Sequence, residues 1–278
     1  MLNLGIYKDI SARLSRDITN SYSTSFSAAT KLLEPDVREA IVAIYGFVRV
    51  ADEVVDTWRP AQMESYINDL GSDLKRAVRS GFSTNPIVQS FALAIIKYNI
   101  PLELVEAFLK SMKMDITKKT YNQAQYQQYI YGSAEVVGLM CLMVFVGGNK
   151  RLYSSLLSSA KALGSAFQKI NFLRDVGSDN LQLGRLYFPG IQGQLDDEAK
   201  NLIVEDINQD LVVAKTAIKK LPKSSRYGVE LAYRYFAAIN QKMSRRSIEE
   251  IRNNRISLAK PTKLKIYCLV ALKQLVAS

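Results

Sequence analysis

Apolar residues recur along this chain at three- and four-residue spacing over long stretches, and no period of two persists between turn residues. Ile41, Ile44, Tyr45 and Val48 form one such stripe, and Ala162, Ala166, Ile170 and Leu173 form another. A 3.6-residue period lines these side chains along one helix face, so the chain is predicted to be all-α. Proline falls where a first helical turn accepts it, at Pro35, Pro86, Pro101 and Pro261, and Asn85 is placed to cap the helix that follows it. The pattern predicts helices near 8–21, 36–58, 62–80, 87–98, 102–114, 122–146, 150–181, 196–221, 225–253 and 262–276. The breaks at 81–85, 147–149 and 189–193 have the composition of turns between helices rather than of linkers, so residues 1–278 are expected to form one helical domain.

The sequence contains no histidine, which removes Ser-His-Asp and Cys-His triads, imidazole bases and most zinc sites. Chemistry is left to carboxylates, tyrosines, arginines or an oxygen-bound metal. Cys141 and Cys268 are the two cysteines, and their isolation argues for packing roles in a reducing compartment, expected to be the cytoplasm. A net charge of +11 asks for an anionic partner: nucleic acid, anionic lipid or a phosphorylated metabolite. No nucleic-acid motif accompanies the charge, so nucleic acid is not expected. The basic runs at 118–119, 219–220, 245–246 and 252–255 are expected to be solvated, and a basic exterior also suits peripheral attachment to the inner face of an anionic membrane. Residues 1–17 lack the apolar core of a secretory signal. The most apolar run, Val136 to Gly148, spans 13 residues, short of the ~20 that cross a bilayer.

Aspartates four apart share a helix face, where they repel unless solvent or a cation lies between them. Chance placement of 14 aspartates in 278 residues gives about one such pair, and four occur: 52/56, 69/73, 175/179 and 206/210. The 69/73 and 206/210 pairs have polar neighbours and are expected on solvated faces. Asp52 and Asp56 instead extend a stripe of Tyr45 and Arg49 on an otherwise apolar helix. Asp175 and Asp179 extend a stripe of Gln168 and Asn171, with Arg174 beside it. Burying such stripes is unfavourable by several kcal/mol unless they are paired or coordinated, so they predict a polar cavity within a helical bundle. Oxygen-only ligands select a hard cation, Mg²⁺ or Mn²⁺, and Mg²⁺ commonly completes its shell with substrate phosphates.

These residues resemble the squalene/phytoene synthase family. Tyr22-Ser-Thr-Ser-Phe26 is similar to its entry motif, and Asp52-Glu-Val-Val-Asp56 to its first aspartate motif. Tyr129-Ile-Tyr-Gly-Ser-Ala-Glu-Val-Val-Gly138 is similar to its tyrosine-led segment. Gln168 to Asp179, followed by Gly184-Arg-Leu-Tyr-Phe-Pro189, resembles its second aspartate motif and what comes after it. The chain departs from common family residues at Ile130, Ser133 and Glu135, where many relatives carry cysteine, valine and glycine, and two residues are expected as an insertion between Asp179 and Arg185.

The resemblance implies a single-domain isoprenoid synthase bundle whose central cavity binds two prenyl diphosphates with Mg²⁺ or Mn²⁺. By that carry-over Asp52, Asp56, Asp175 and Asp179 hold the metals, Arg49 and Arg174 steady diphosphate oxygens, and Gln168 and Asn171 line the polar end. Tyr129 lies near the reacting carbons, with Asp52 and Asp175 as the other catalytic residues. Phe26, Ser133 and Val137 touch the prenyl chains, and Tyr45, Tyr235 and Arg255 complete the substrate set. Tyr121, Tyr126 and Tyr131 are expected to pack. The implied reaction is the joining of two geranylgeranyl diphosphates to phytoene through a cyclopropyl diphosphate. Three other readings stay open: a C30 synthase acting on farnesyl diphosphate, a head-to-tail synthase or terpene cyclase, and a catalytically silent helical adaptor on membranes.

Overall fold

The computed structural model describes residues 4–57, 61–178, 185, 187–189 and 195–277. Every regular element among them is helical: α1 (Leu4–Tyr22), α2 (Thr24–Thr30), α3 (Pro35–Asp56), α4 (Met63–Ser80), α5 (Pro86–Tyr98), α6 (Leu102–Thr117), α7 (Gln123–Ile130), α8 (Val136–Phe145), α9 (Lys150–Arg174), α10 (Val176–Ser178), α11 (Asp197–Ile218), α12 (Lys223–Ser244), α13 (Ile248–Asn253) and α14 (Lys260–Ala277). Local chemistry places the ends. Asn85 accepts from the backbone N–H groups of Ile87 and Val88, as its sequence position predicts. Asn122 with Gln125 and Ser247 with Glu250 form reciprocal capping boxes that start α7 and α13. Gly81 closes α4 in the left-handed conformation at φ 78°.

Four boundaries differ from the sequence expectation. Residues 24–30 form a short helix of their own, opened by the Ser23 side chain. The helix expected over 122–146 is continuous but passes through a π-helical turn, Tyr131–Glu135, between α7 and α8. The helix expected to reach 181 ends at Arg174, because Asp175 leaves the helical region at φ −100°, ψ 9°. The helix expected over 225–253 breaks before Ser247, whose capping box begins α13. The breaks near 189–193 and the insertion before Arg185 fall largely outside the described residues.

Helices α3 to α6 and α8 bury one apolar cluster around Phe47, Phe91, Phe108 and Met140, with the Phe47 and Phe91 rings 4.8 Å apart. Helices α7, α9, α11 and α12 bury a second around Ile170, Leu173, Ile207, Leu231 and Met243. Truncating one of these phenylalanines to alanine is expected to destabilise by ~3–5 kcal/mol. The two halves meet where α8 crosses α9 at glycine: a Cβ on Gly138 would lie 2.7 Å from the Ala160 carbonyl oxygen, and one on Gly164 2.6 Å from that of Ala134. Only glycine allows the backbones this close. The run Gln123–Phe145 is long and apolar enough to cross a membrane, longer than the 13-residue stretch seen in sequence, and 56% of its most apolar window is buried in the protein. Packing of α8 against α3, α6 and α9 accounts for that apolarity.

Candidate active site

Between the two clusters lies a cavity of about 600 Å³. Its wall follows α3 from Ile41 to Asp56 and α9 from Leu156 to Asp175, lengths of roughly 22 and 28 Å at helical rise. Arg49, Asp52, Asp56, Asp115, Arg174 and Asp175 make one end polar, while Phe145, Leu156, Ala217, Ile218, Leu221 and Val229 line apolar surface farther along. A charged head and a long hydrocarbon tail match this division.

Helix α3 provides the first acidic wall. Arg49 donates to Glu53 through Nε at 3.1 Å and lies over the Tyr22 ring, 4.3 Å from its centroid. Its guanidinium is thus engaged beside Asp52 rather than with it. Burial pushes the Asp52 carboxyl up to about 8, with the Asp56 charge adding to the rise and Arg49 only partly opposing it. Asp56 accepts from Arg185 Nη1 at 2.6 Å.

Behind that wall sits a buried cluster that the aspartate spacing did not reveal. Asp115 on α6 accepts from Tyr129 at 2.5 Å and from Tyr121 at 3.0 Å, and lies 3.4 Å from the Tyr187 hydroxyl. Arg185, with a side chain 4% exposed, reaches Asp56 and the carbonyl oxygens of Val55 and Asp115, while its buried Nε has no hydrogen-bond partner. Burial raises the Asp115 carboxyl, and Arg185 with the two tyrosines limits the rise to about 6. Burial and the Asp115 charge hold the Tyr129 phenol well above its ordinary range, so it stays protonated. Aromatic packing completes the cluster, with the Phe172 and Tyr187 rings stacked 3.9 Å apart. The readable signal was a lone aspartate on the apolar face that Leu104, Val105, Phe108 and Met112 define. Tyr121, expected only to pack, belongs here.

The end of α9 provides the second wall. Arg174 grips Asp175 through Nε at 3.0 Å and Nη2 at 2.5 Å, and Arg255 adds a bond at 2.8 Å. Burial acts to raise the Asp175 carboxyl, but these hydrogen bonds outweigh it and hold the group below its ordinary value. Gly177 explains the turn that follows: a Cβ there would lie 2.2 Å from the Arg252 carbonyl oxygen, so α10 rests directly on α13.

Of the residues singled out in sequence, Phe26, Tyr45, Arg49, Asp52, Asp56, Tyr129, Ser133, Val137, Gln168, Asn171, Arg174, Asp175 and Arg255 all line this cavity. Phe26 and Tyr45 stack with centroids 4.9 Å apart, and the Ser133 hydroxyl is buried without a partner. Tyr235 does not reach the cavity: it is buried in the second cluster, and its hydroxyl donates to the Lys263 carbonyl. Its helical neighbour Phe236 lines the cavity instead. Asp179 lies outside the described residues. The 206/210 pair is not simply solvated, since Lys169, nearly buried between α9 and α11, pairs with Asp206 at 2.5 Å and Asp210 at 2.8 Å. In the 252–255 run, residues 253–255 are exposed as expected, though Arg255 reaches Asp175, while the half-buried Arg252 donates to the Leu195 carbonyl. Cys268, expected to pack, is exposed.

The residues present fit a hard divalent cation. Asp52, Asp56 and Asp175 offer oxygen donors alone, and the Asp52 carboxyl, raised by burial and by the Asp56 charge beside it, is one that a bound cation would return to its ionised form. No three acidic or sulfur side chains among the described residues form a ready cage, which suits an ion that takes one or two carboxylates plus substrate oxygens and water.

The squalene/phytoene synthase family model matches residues 19–191, the span that holds both walls and the Tyr129 segment. The chain is 29% identical over 256 residues to a phytoene synthase of Rhodobacter capsulatus, covering 85% of this chain and 74% of that one. It is 32% identical over 206 residues to chloroplastic phytoene synthase 1 of Solanum lycopersicum, covering 70% of this chain and about half, 48%, of the plant protein. A solved dehydrosqualene synthase superposes with a TM-score of 0.79 at 18% identity, over 96% of this chain and 97% of that one. A squalene synthase from Alicyclobacillus acidocaldarius gives 0.72 at 20%, over 86% and 96%. At those identities the likeness establishes the all-α isoprenoid synthase fold. Fold, motifs and extent of match agree, and the chain belongs to the squalene/phytoene synthase family.

Proposed function

We propose that this chain joins two geranylgeranyl diphosphates head to head to give phytoene, releasing both diphosphates. The reading is carried by the union of a carboxylate- and arginine-rich end with a long apolar tunnel, in a chain whose relatives at 29–32% identity are phytoene synthases. Magnesium or manganese held by Asp52, Asp56 and Asp175, with Asp179 as the further ligand expected from sequence, would supply charge neutralisation for the departing diphosphate. Arg49 and Arg174 orient diphosphate oxygens from either wall, a task suited to the guanidinium fork.

Loss of the first diphosphate leaves an allylic cation, which the double bond of the second substrate attacks to give a cyclopropyl diphosphate and one proton. Loss of the second diphosphate, rearrangement to the 1-1′ link and loss of another proton give the product. Tyr129 is suited to the proton step. Its oxygen takes the substrate proton while its phenol proton passes to Asp115, which already accepts that hydrogen bond at 2.5 Å. Aromatic faces along the path, those of Phe26, Tyr45, Tyr129 and Phe172, stabilise a passing cation by ~0.5–2 kcal/mol per contact. The apolar lining keeps water from quenching it.

Incubating the purified chain with Mg²⁺ and either the C15 or the C20 diphosphate, followed by mass analysis of the hydrocarbon, tests the reading. Phytoene from the C20 substrate is expected. A C30 product with no turnover of the C20 substrate overturns it in favour of a dehydrosqualene- or squalene-type synthase.

A further inference from the structure

Helical geometry offers Arg49 two carboxylates one turn ahead, Asp52 at i+3 and Glu53 at i+4, both within reach of a guanidinium. The structure gives it to Glu53. Arg49 donates to Glu53 Oε1 through Nε and Nη2, and the Thr57 hydroxyl donates to the other oxygen, Oε2, at 2.7 Å. Glu53 is therefore fixed from both sides, by a residue one turn before it and a residue one turn after. The Tyr22 ring lies against the guanidinium and adds a cation–π contact. Arg49, Asp52 and Asp56 line the cavity, and Glu53 does not. An acid one position from Asp52 thus lies outside the cavity wall, yet it binds the arginine that the helix also presents to Asp52.

We propose that Glu53 is a positioning residue: it holds the Arg49 guanidinium off Asp52 and so keeps that carboxylate open to a divalent cation. The inference rests on the cation site proposed above and adds to it a residue that does not touch the ion. Without Glu53, Asp52 becomes the nearest carboxylate to Arg49, and a charge-assisted bond between them would close. Guanidinium and metal ion would then compete for the same two oxygens, each repelling the other. Two features favour the pairing observed. The Glu53 side chain is 30% exposed and keeps part of its hydration, whereas Asp52 lies deeper, where an ion pair costs more to desolvate. Thr57 adds a bond that only the Glu53 pairing uses. The Arg49–Glu53 pair is neutral as it stands. It leaves the Asp52 oxygens unclaimed by Arg49, and Arg49 Nη1 unclaimed by Glu53 and ready for a diphosphate oxygen.

Binding of Mn²⁺ to the full chain, read from the electron paramagnetic resonance of the free ion without substrate, tests this. Glu53→Gln keeps the shape of the side chain and removes its charge. It is expected to weaken Mn²⁺ binding about tenfold, a coupling usual for residues in contact, with helical circular dichroism unchanged. Glu53→Asp, which keeps the charge, is expected to recover part of the affinity. In an Arg49→Met background no guanidinium can reach Asp52, so Glu53→Gln is expected to change binding by less than about twofold. An equal loss in both backgrounds overturns the inference, because Glu53 then acts on the ion by its charge alone. Unchanged binding in Glu53→Gln overturns it as well. Should the unsubstituted chain bind no Mn²⁺, the cation site falls and the inference with it, a result distinct from the other two. None of these measurements depends on which prenyl diphosphate the protein turns over.

Discussion

The two acidic walls carry the same residue type on adjoining surfaces of one cavity, yet they are held in opposite electrostatic states. Asp52 lies within the last turns of α3, among apolar neighbours, next to an arginine already committed to Glu53, and its carboxyl rises to about 8. Asp175 lies where α9 has ended, gripped by Arg174 and Arg255, and its carboxyl is lowered. The arginine nearest Asp52 is committed to Glu53, whereas Asp175 holds two arginines directly. The difference assigns separate tasks: the first wall is where an added cation relieves the most repulsion, and the second is where arginines already wait for an anion.

The sharpest way to break that contrast is to remove the first wall. Asp52→Ala is expected to lower turnover about a thousandfold or more with helical circular dichroism unchanged. Undiminished turnover would favour the silent-adaptor reading. Asp175→Ala is expected to reduce turnover by a similar factor but also to leave Arg174 without its carboxylate, so its urea midpoint falls where that of Asp52→Ala rises. Behind the first wall, Arg185→Met strands Asp115 and part of Asp56, and a buried pair broken on one side costs about 3–5 kcal/mol, measurable by urea denaturation. Adding Asp115→Asn to that variant is expected to restore part of the loss. Tyr129→Phe keeps the ring contacts and removes the bond to Asp115. A fall in turnover of about a hundredfold with a stability change near 1 kcal/mol separates proton transfer from packing.

Much of this contrast was legible in the sequence, and what was hidden has physical causes. Helical period displayed α3 and α9 and thus the residues facing inward. Spacing alone did not separate 175/179 from 206/210, because an i, i+4 pair records a shared face and not what lies across from it; Lys169 answers that question only once α9 packs on α11. Asp115 has no aspartate partner along its helix, so no pair rule finds it. Arg185 comes from a segment without helical period, and its contact with Asp56 spans 129 residues. Tyr235 was misplaced because adjacent helix positions point about 100° apart, and one step along α12 exchanges core for cavity.

The walls should also titrate in opposite directions. A group whose carboxyl is raised in the fold binds its proton more tightly folded than unfolded, so stability falls as pH rises from the unfolded value to the folded one. Asp115 contributes such a decline up to about 6, and Asp52 extends it to about 8. In chelator, the melting temperature is therefore expected to fall between pH ~6 and ~8, and Asp52→Asn to flatten that interval. Magnesium added to the unsubstituted protein should flatten it as well, by stabilising the ionised form. Asp175, lowered in the fold, contributes with the opposite sign: its stabilisation is present above the ordinary aspartate range and is lost as pH drops below about 4. A melting temperature that rises from pH ~6 to ~8 in chelator would contradict the raised Asp52 carboxyl of the first wall.

The smallest expected effect tests whether the second wall has an inner and an outer cation. Arg255 is 70% exposed and makes one bond to Asp175, while Arg174 is 16% exposed and makes two. An exposed ion pair contributes at most ~1 kcal/mol and weakens as salt screens it. Arg255→Ala is thus expected to lower stability by less than about 1 kcal/mol and to raise the KM for the diphosphate only several-fold, with both changes shrinking at high salt. Arg174→Ala removes a bidentate partner from a partly buried carboxylate, so its effects on stability and KM should be larger and nearly independent of salt. If the two variants behave alike at every salt concentration, the arginines act as one clamp. The second wall would then hold its carboxylate with a single set of cations, and the asymmetry between the walls would reduce to arginines bonded directly to Asp175 but not to Asp52.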